Sequence, residues 1–194
     1  DYGRLGTWGE LAEQIYRARY VQEQTGKSLG IWRAGLDTGG TREHPWSESR
    51  TKDAYRWLLR QRPGVGFGTK GLSINRTPGV QIRPTLLQKF PDGTPMRHGL
   101  HLYLVDTSAI KADLMWMLSD EETEEGFFFH RDVGVDFLRE ILSAKPVAAK
   151  GVLVWKKIRT NDYLDTMVGN LALVHRQMSP SFAVLAGPEP APAG

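Results

Sequence analysis

Two carboxylates near the C-terminal end of the chain have a spacing that suits metal chemistry. Asp162 and Asp165 lie in the sequence RTNDYLD, residues 159–165, and residues three apart share one face of a helix. Apolar residues surround Asp165, which predicts that it lies on the buried side of the helix, where an unpaired carboxylate is costly. These neighbours are Leu164, Val168, Leu171 and Ala172. Because a bound cation would remove that cost, we expect Asp165 to bind a metal ion.

Asp162 has a second interpretation that needs no metal. Acidic residues in a first helical turn offset the helix dipole, and Asn161 or Thr160 is expected to cap the same helix end. The two interpretations of Asp162 therefore stay open on the sequence alone.

A third acid, Asp37, follows a predicted strand at residues 28–36 and precedes Thr38, Gly39 and Gly40. Strand ends followed by glycine are where α/β sheets place their chemistry, although an Asx turn would also explain the aspartate. Lys70 ends another glycine-rich strand, but the glycine-to-lysine spacing of a phosphate loop is absent there. We therefore treat Asp37 and Lys70 as candidate site residues.

Composition limits the chemistry that these residues can support. The 194 residues are enough for one domain, and 40% of them are hydrophobic. Because the sequence has no cysteine, disulfides, cysteine-based zinc sites and thiol catalysis are excluded, and a metal must use Asp, Glu or His. Hard oxygen ligands suit Mg²⁺ or Mn²⁺. Without a long apolar run or a signal peptide, we expect no membrane contact and a cytoplasmic location.

Basic residues are concentrated in the middle of the chain. Residues 50–100 contain ten Lys or Arg and two Asp, a net charge of +8, so the remainder carries −5 of the total +3. A concentrated basic segment attracts polyanions, nucleic acid above all, although a solvated surface would have the same composition. The candidate DNA contacts are Arg56, Arg60, Arg76, Arg83 and Lys89.

The elements that must position these residues alternate along the chain. Apolar spacing predicts helices at residues 7–24, 47–61, 108–118, 135–143 and 161–175. Strands are predicted at residues 28–36, 65–71, 80–87, 100–105, 127–130 and 151–158. We expect Thr7 to cap the first helix and Gly26 to end it, His130 to be structural, and residues 72–98 to form a basic β-hairpin excursion that faces DNA. The order indicates an α/β domain with a mixed sheet.

Together these residues are the parts of a two-metal phosphodiesterase. The carboxylates Asp37, Asp162 and Asp165 would hold two divalent ions about 4 Å apart, one activating water and one stabilising the leaving oxygen. Lys70 would neutralise charge on the scissile phosphate. The sequence therefore favours phosphodiester hydrolysis.

Four segments, in order, also resemble one protein family. They are AGLDTGG at residues 34–40, GTKG at 68–71, LYLVDTSAIK at 102–111, and WKK at 155–157 with RTNDYLD at 159–165. The family is the nuclease domain of the large terminase subunit, of the GpA type, from tailed double-stranded DNA bacteriophages and prophages. Asp162 replaces the usual Glu of its last motif, and Thr160 separates Arg159 from Asn161.

The resemblance implies an RNase H-like fold, with the nuclease domain at residues 1–180 and a Pro/Ala-rich tail at 181–194. The family's first catalytic aspartate would lie on a strand before residue 1. The resemblance also implies a nuclease that uses Mg²⁺ or Mn²⁺ to cut concatemeric double-stranded DNA in the bacterial host cytoplasm. Its implied partners are a small terminase subunit and the portal of the procapsid, and its implied neighbour in the chain is an ATPase motor.

Two alternatives remain open on the sequence. The chain would also fit another RNase H-like nuclease, such as a relative of resolvases or transposases. A noncatalytic DNA-binding or assembly module would share the basic segment but would bind DNA without a divalent-metal site.

Overall fold

A computed structural model describes residues 5–39, 50–61, 64–72, 79–119, 127, 129–149 and 152–178. The helices in these ranges are α1 Leu5–Tyr16, α2 Arg50–Leu58, α3 Thr107–Ser119, α4 Val135–Ile141 and α5 Asp162–Val174. The strands are β1 Arg19–Val21, β2 Ser28–Gly30, β3 Ala34–Asp37, β4 Gly66–Leu72, β5 Ile82–Lys89, β6 Pro95–Asp106, β7 Ala144–Ala149 and β8 Val152–Lys157. Each described helix is too short or too polar to pass through a lipid bilayer.

The chain divides into two compact units. The first unit contains Asp1–Gly71 and Pro84–Leu104, and the second contains Leu72–Arg83 and Val105–Gly194. Four strands form one sheet in the order β3-β4-β6-β5. β3 and β4 are parallel, with Asp37 opposite Thr69, and a turn in which the Phe90 amide donates to the Thr94 carbonyl joins β5 to β6. The sheet is mixed and is flanked by helices, which confirms the predicted RNase H-like α/β class.

In the first unit, helices α1 and α2 supply the apolar cover of the sheet. Tyr55, Trp57 and Leu58 of α2 are buried with Leu102 of β6 in one cluster, and Leu102 is only 1% exposed. The Trp57 ring stacks on Trp8, and the Trp57 indole N–H donates to the Trp8 carbonyl at 3.2 Å. The buried indole N–H is thus satisfied, as its burial requires.

In the second unit, α5 packs against α3 and α4. Leu164, Val168 and Ala172, spaced four residues apart, are buried along one stripe of α5, as expected for an amphipathic helix. Trp155 of β8 donates its indole N–H to the Ser108 carbonyl at the start of α3, at 3.0 Å. The predicted strand at residues 151–158 is confirmed as β8, which pairs antiparallel with β7.

The N-terminal region differs from its prediction. Helix α1 begins before Thr7, which is therefore not its cap, and ends at Tyr16 rather than near residue 24. The Arg19 guanidinium donates to the carbonyls of Ala18 and Tyr16, and the second of these bonds satisfies a group that the helix end leaves open. Gly26, at φ 66°, belongs to the turn of a two-stranded β1–β2 hairpin.

Three other segments also differ. The predicted strand at residues 28–36 is two strands, β2 and β3. The described residues of 127–130 are not in a strand, and His130 is exposed, with its Nδ1 accepting from the Asp132 amide. The predicted excursion at 72–98 contains a hairpin, but both of its strands belong to the main sheet. The predicted tail at 181–194 lies outside the described residues.

Gly68 of β4 lies where two elements approach each other closely. A Cβ at this position would lie 2.2 Å from Leu102 Cδ2 and 2.8 Å from Leu58 Cδ1. Because both contacts are side chains of the packed core, their displacement strains the unit.

We therefore expect Gly68→Ala to lower the free energy of unfolding by about 1–3 kcal/mol, since overpacking a core has costs of this size. Urea denaturation measures the effect. Gly9→Ala is the matched control, because Gly9 lies in helix α1 of the same unit and its Cβ would meet nothing within 4 Å. The free energy of unfolding of that variant should rise by up to about 1 kcal/mol, because alanine has the higher helix propensity. Equal effects of the two substitutions would contradict the close approach at Gly68.

Candidate functional site

Asp37 ends strand β3 with its carboxylate exposed. The Gly39 amide donates to Asp37 Oδ1 at 2.9 Å, so the Asx turn that the sequence suggested is present. A Cβ on Gly39 would lie 3.3 Å from the same oxygen, and glycine therefore leaves the carboxylate accessible. One oxygen is oriented by the turn, and Oδ2 accepts no hydrogen bond from the described part of the chain.

Thr38 fixes the backbone beside Asp37. It is fully buried, and its hydroxyl and its amide both donate to the Thr69 carbonyl, at 2.8 and 2.9 Å. The Thr51 hydroxyl of α2 donates to the Thr38 carbonyl at 2.9 Å. Burial raises the pKa of the nearby Tyr55 hydroxyl, and its hydrogen bond with Thr38 lowers that pKa in part. These contacts hold the strand end rigidly.

Thr38 and Thr51 were not predicted from the sequence as supporting residues. A threonine directly after a strand-end aspartate is the available signal, because a buried hydroxyl must find a partner. Its partner, the Thr69 carbonyl, is separated from it by 31 positions, which sequence spacing does not reveal.

Lys70 is exposed on β4. The parallel register places Asp37 opposite Thr69, and side chains alternate between the two faces of a strand. The Cβ of Lys70 therefore points to the sheet face opposite that of Asp37. Strand β4 continues to Leu72, so the prediction that Lys70 ends its strand is wrong. Contact with a phosphate at Asp37 would require the lysine side chain to reach the other face of the sheet, and its role stays a prediction.

The expected burial of Asp165 is wrong. Leu164 is fully buried, but Asp165 is exposed, because each residue turns the helix by about 100° and Asp165 falls beside the apolar stripe. Lys111 Nζ lies 2.8 Å from Asp165 Oδ1, and Asn161 Nδ2 donates to Oδ2 at 2.8 Å. The cation that accompanies this carboxylate in the structure is thus Lys111.

Asp162 is exposed at the first position of α5. Asn161 occupies the N-cap position but makes no side-chain cap there, so the expected cap by Asn161 is wrong. Glu140 of α4 instead accepts from the Tyr163 amide at 3.3 Å. The first turn contains both Asp162 and Asp165, an arrangement that offsets the helix dipole whether or not a metal binds.

The described residues contain no group of three or more His, Cys, Asp or Glu arranged to hold a metal ion. The chemistry of the individual donors nevertheless suits Mg²⁺ or Mn²⁺, because the carboxylate oxygens of Asp37, Asp162 and Asp165 are exposed and hard cations prefer such oxygens.

The candidate DNA contacts are exposed wherever the structure describes them. Arg56 is in α2, Arg60 follows it, and Arg83 and Lys89 are on β5, the edge strand of the sheet. Charged residues on an edge strand also prevent edge-to-edge pairing, so these two have a structural interpretation as well. Arg76 lies outside the described residues.

The cations of the basic segment are not equally available to bind DNA phosphates. Lys52 Nζ lies 2.6 Å from Asp92 Oδ2, and this contact holds the pKa of Asp92 well below its usual range. The positive charge of Lys52 is therefore already balanced by a carboxylate.

A mixed sheet flanked by helices is the architecture of an RNase H-like α/β protein, and exposed carboxylates lie at the end of β3 and in the first turn of α5. The sequence model of one family, described as the endonuclease domain of the terminase large subunit gpA, matches residues 1–181. The chain belongs to this terminase nuclease family. Comparison with the curated proteins gives no match, and neither does comparison with the solved structures.

We expect the cations of β5 to contribute to DNA affinity through phosphate contacts. Replacing Arg83 and Lys89 together by Gln should reduce the slope of log K against log salt concentration by about 2, since each phosphate contact adds about 0.9. Fluorescence anisotropy with a duplex measures the slope. The control, Arg131→Gln with Lys145→Gln, removes the same charge from exposed positions outside residues 50–100; an equal loss of slope there would indicate only a net-charge effect.

Proposed function

We propose that this domain is the metal-dependent endonuclease of a phage DNA-packaging terminase, which cuts concatemeric double-stranded DNA by two-metal hydrolysis. The observation that carries the proposal is the family match over residues 1–181. The exposed carboxylates of Asp37, Asp162 and Asp165 support it, because a nuclease of this kind needs accessible oxygen ligands.

In this proposal each acid has a stated task. Asp37, Asp162 and Asp165 hold the divalent ions, Mg²⁺ or Mn²⁺, through their carboxylate oxygens. When bound, such ions supply an activated water and stabilise the charge on the leaving oxygen. Thr38 keeps the Asp37 backbone fixed through its bonds to Thr69, which preserves the geometry of a ligand between rounds of cleavage.

The cations have a separate task from the acids. Lys70 offsets charge on the scissile phosphate, while Arg56, Arg60, Arg76, Arg83 and Lys89 bind the DNA backbone. Contacts to phosphates position a duplex but do not read its sequence. We therefore infer that the domain has a low preference for particular DNA sequences.

Membership of the terminase family also suggests the setting of the reaction. We propose that cleavage starts and ends packaging, together with a small terminase subunit and the portal of the procapsid, in the cytoplasm of the bacterial host. The family resemblance implies a further catalytic aspartate, so the decisive assay uses a chain extended at its N-terminus.

We expect Asp37→Asn and Asp165→Asn each to lower the nicking rate of supercoiled plasmid by about 100-fold or more, since even groups that support metal ligands cost 10–100-fold when removed. Gel assays with Mn²⁺, Mg²⁺ or EDTA measure the rate in the extended chain. Asp132→Asn, an exposed acid outside the candidate site, is the matched control and should retain the wild-type rate. Undiminished metal-dependent cleavage by both site variants would refute the assignment of these acids.

The noncatalytic module has one observation in its favour, the pairing of Asp165 with Lys111, which already balances its charge. A folded extended chain that binds duplex DNA in a salt-dependent way but cleaves nothing would establish this alternative. For a resolvase or transposase relative, branched substrates would be cut in preference to linear DNA, whereas the terminase assignment predicts cleavage of linear duplexes.

A further inference from the structure

Lys111 forms an ion pair with Asp165, one of the candidate acids of α5. It lies on α3, and its Nζ is 2.8 Å from Asp165 Oδ1. The other carboxylate oxygen accepts from Asn161 Nδ2, also at 2.8 Å. Both oxygens of Asp165 therefore already have donors, and any ion that binds there must share or replace one of them.

The pair is asymmetric in its exposure. The Lys111 side chain is 12% exposed, whereas that of Asp165 is 56% exposed. A lysine side chain that is largely buried depends on its carboxylate partner, since burying an unpaired charge is costly. The carboxylate, by contrast, remains open to solvent ions. Lys111 is thus the fixed member of the pair, and Asp165 is the accessible one.

We propose that Lys111 is a resident counter-cation that competes with divalent metal for Asp165 and thereby sets the metal affinity of the site. This inference rests on the proposed function, because it concerns the same carboxylate as a metal ligand. Lys111 is a positioning residue: it orients Asp165 when no ion is bound and opposes a second positive charge when one arrives.

Two physical effects give this competition its sign. The ammonium repels a divalent ion that approaches the same carboxylate, and the lone pairs of Oδ1 that face Lys111 are engaged by its N–H groups. Taking the carboxylate away from a largely buried lysine would leave its charge unpaired, so Lys111 does not yield its position freely. Removing the charge at residue 111 should therefore strengthen metal binding.

The first test is a titration of the chain with Mn²⁺, followed by paramagnetic broadening of the Asp165 amide signal in NMR spectra. Lys111→Met, which keeps most of the buried aliphatic length, should reduce the Mn²⁺ concentration for half-maximal broadening by about tenfold. Lys111→Arg keeps the charge and should stay near the wild-type concentration. Lys145→Met, an exposed lysine on β7 of the same unit, controls for net charge, and Asp165→Asn should abolish the broadening.

The outcomes separate this inference from the proposed function. Equal Mn²⁺ affinity in wild type and Lys111→Met, with loss in Asp165→Asn, would overturn the role of Lys111 and leave the metal site in place. Weaker binding by Lys111→Met would also overturn it, because the lysine would then assist the metal. Broadening in none of the folded variants would reject both the competition and Asp165 as a metal ligand.

A second measurement needs no substitution of Lys111, and so remains decisive if Lys111→Met fails to fold. The ammonium protons of a hydrogen-bonded lysine can be followed directly in ¹⁵N-labelled protein. Addition of Mg²⁺ should shift or broaden the Lys111 ammonium signal in the wild type as the ion takes a share of Asp165. An ammonium signal that is unchanged when Mg²⁺ has altered the Asp165 amide would overturn the proposal.

Discussion

The parallel pairing of β3 with β4 is the constraint that fixes the position of Asp37 in the first unit. Parallel strands pair over only four residues here, from Ala34 with Gly66 to Asp37 with Thr69, and so short a ladder needs further support. Thr38 supplies it with two hydrogen bonds to one carbonyl. Gly68 lets the core side chains approach the strand closely. The exposed Asp37 carboxylate is therefore carried on a backbone whose position is fixed by buried contacts.

In the second unit, an acid lies next to the apolar face of a helix. The stripe of α5 is buried, and Asp165 lies just beside it. Lys111 and Asn161 each donate to one oxygen of Asp165. These hydrogen bonds both stabilise the charge of the carboxylate and orient it. Such a carboxylate suits structure and catalysis equally, because the contacts that stabilise it also hold it in one geometry.

Much of the fold followed from sequence because local patterns and tertiary packing agreed. The apolar spacing of α5 and the strand-end position of Asp37 were both predicted. The β1–β2 hairpin was missed because Ala18 and Val21 happen to continue the spacing of the preceding helix. All three residues of β1 are exposed, so no burial pattern marked it as a strand.

The site was predicted less completely than the fold, because the residues that contact each other there are far apart in the sequence. Each residue along a helix turns the side chain by about 100°. Asp165 was therefore predicted on the buried side of α5, although it lies on the exposed side. Its true partner lies 54 positions away in the sequence. The Lys111 motif was recognised by resemblance, but its ion pair depends on the packing of α3 against α5, which no local pattern specifies.

The most direct measurement of the central claim is anomalous diffraction at the manganese edge, from crystals of the N-terminally extended chain grown with Mn²⁺. The proposed two-metal mechanism predicts two manganese peaks about 4 Å apart, with carboxylate oxygens of Asp37 and Asp165 among their ligands. Manganese bound only elsewhere, or absent from both carboxylates at saturating concentration, would contradict the two-metal nuclease.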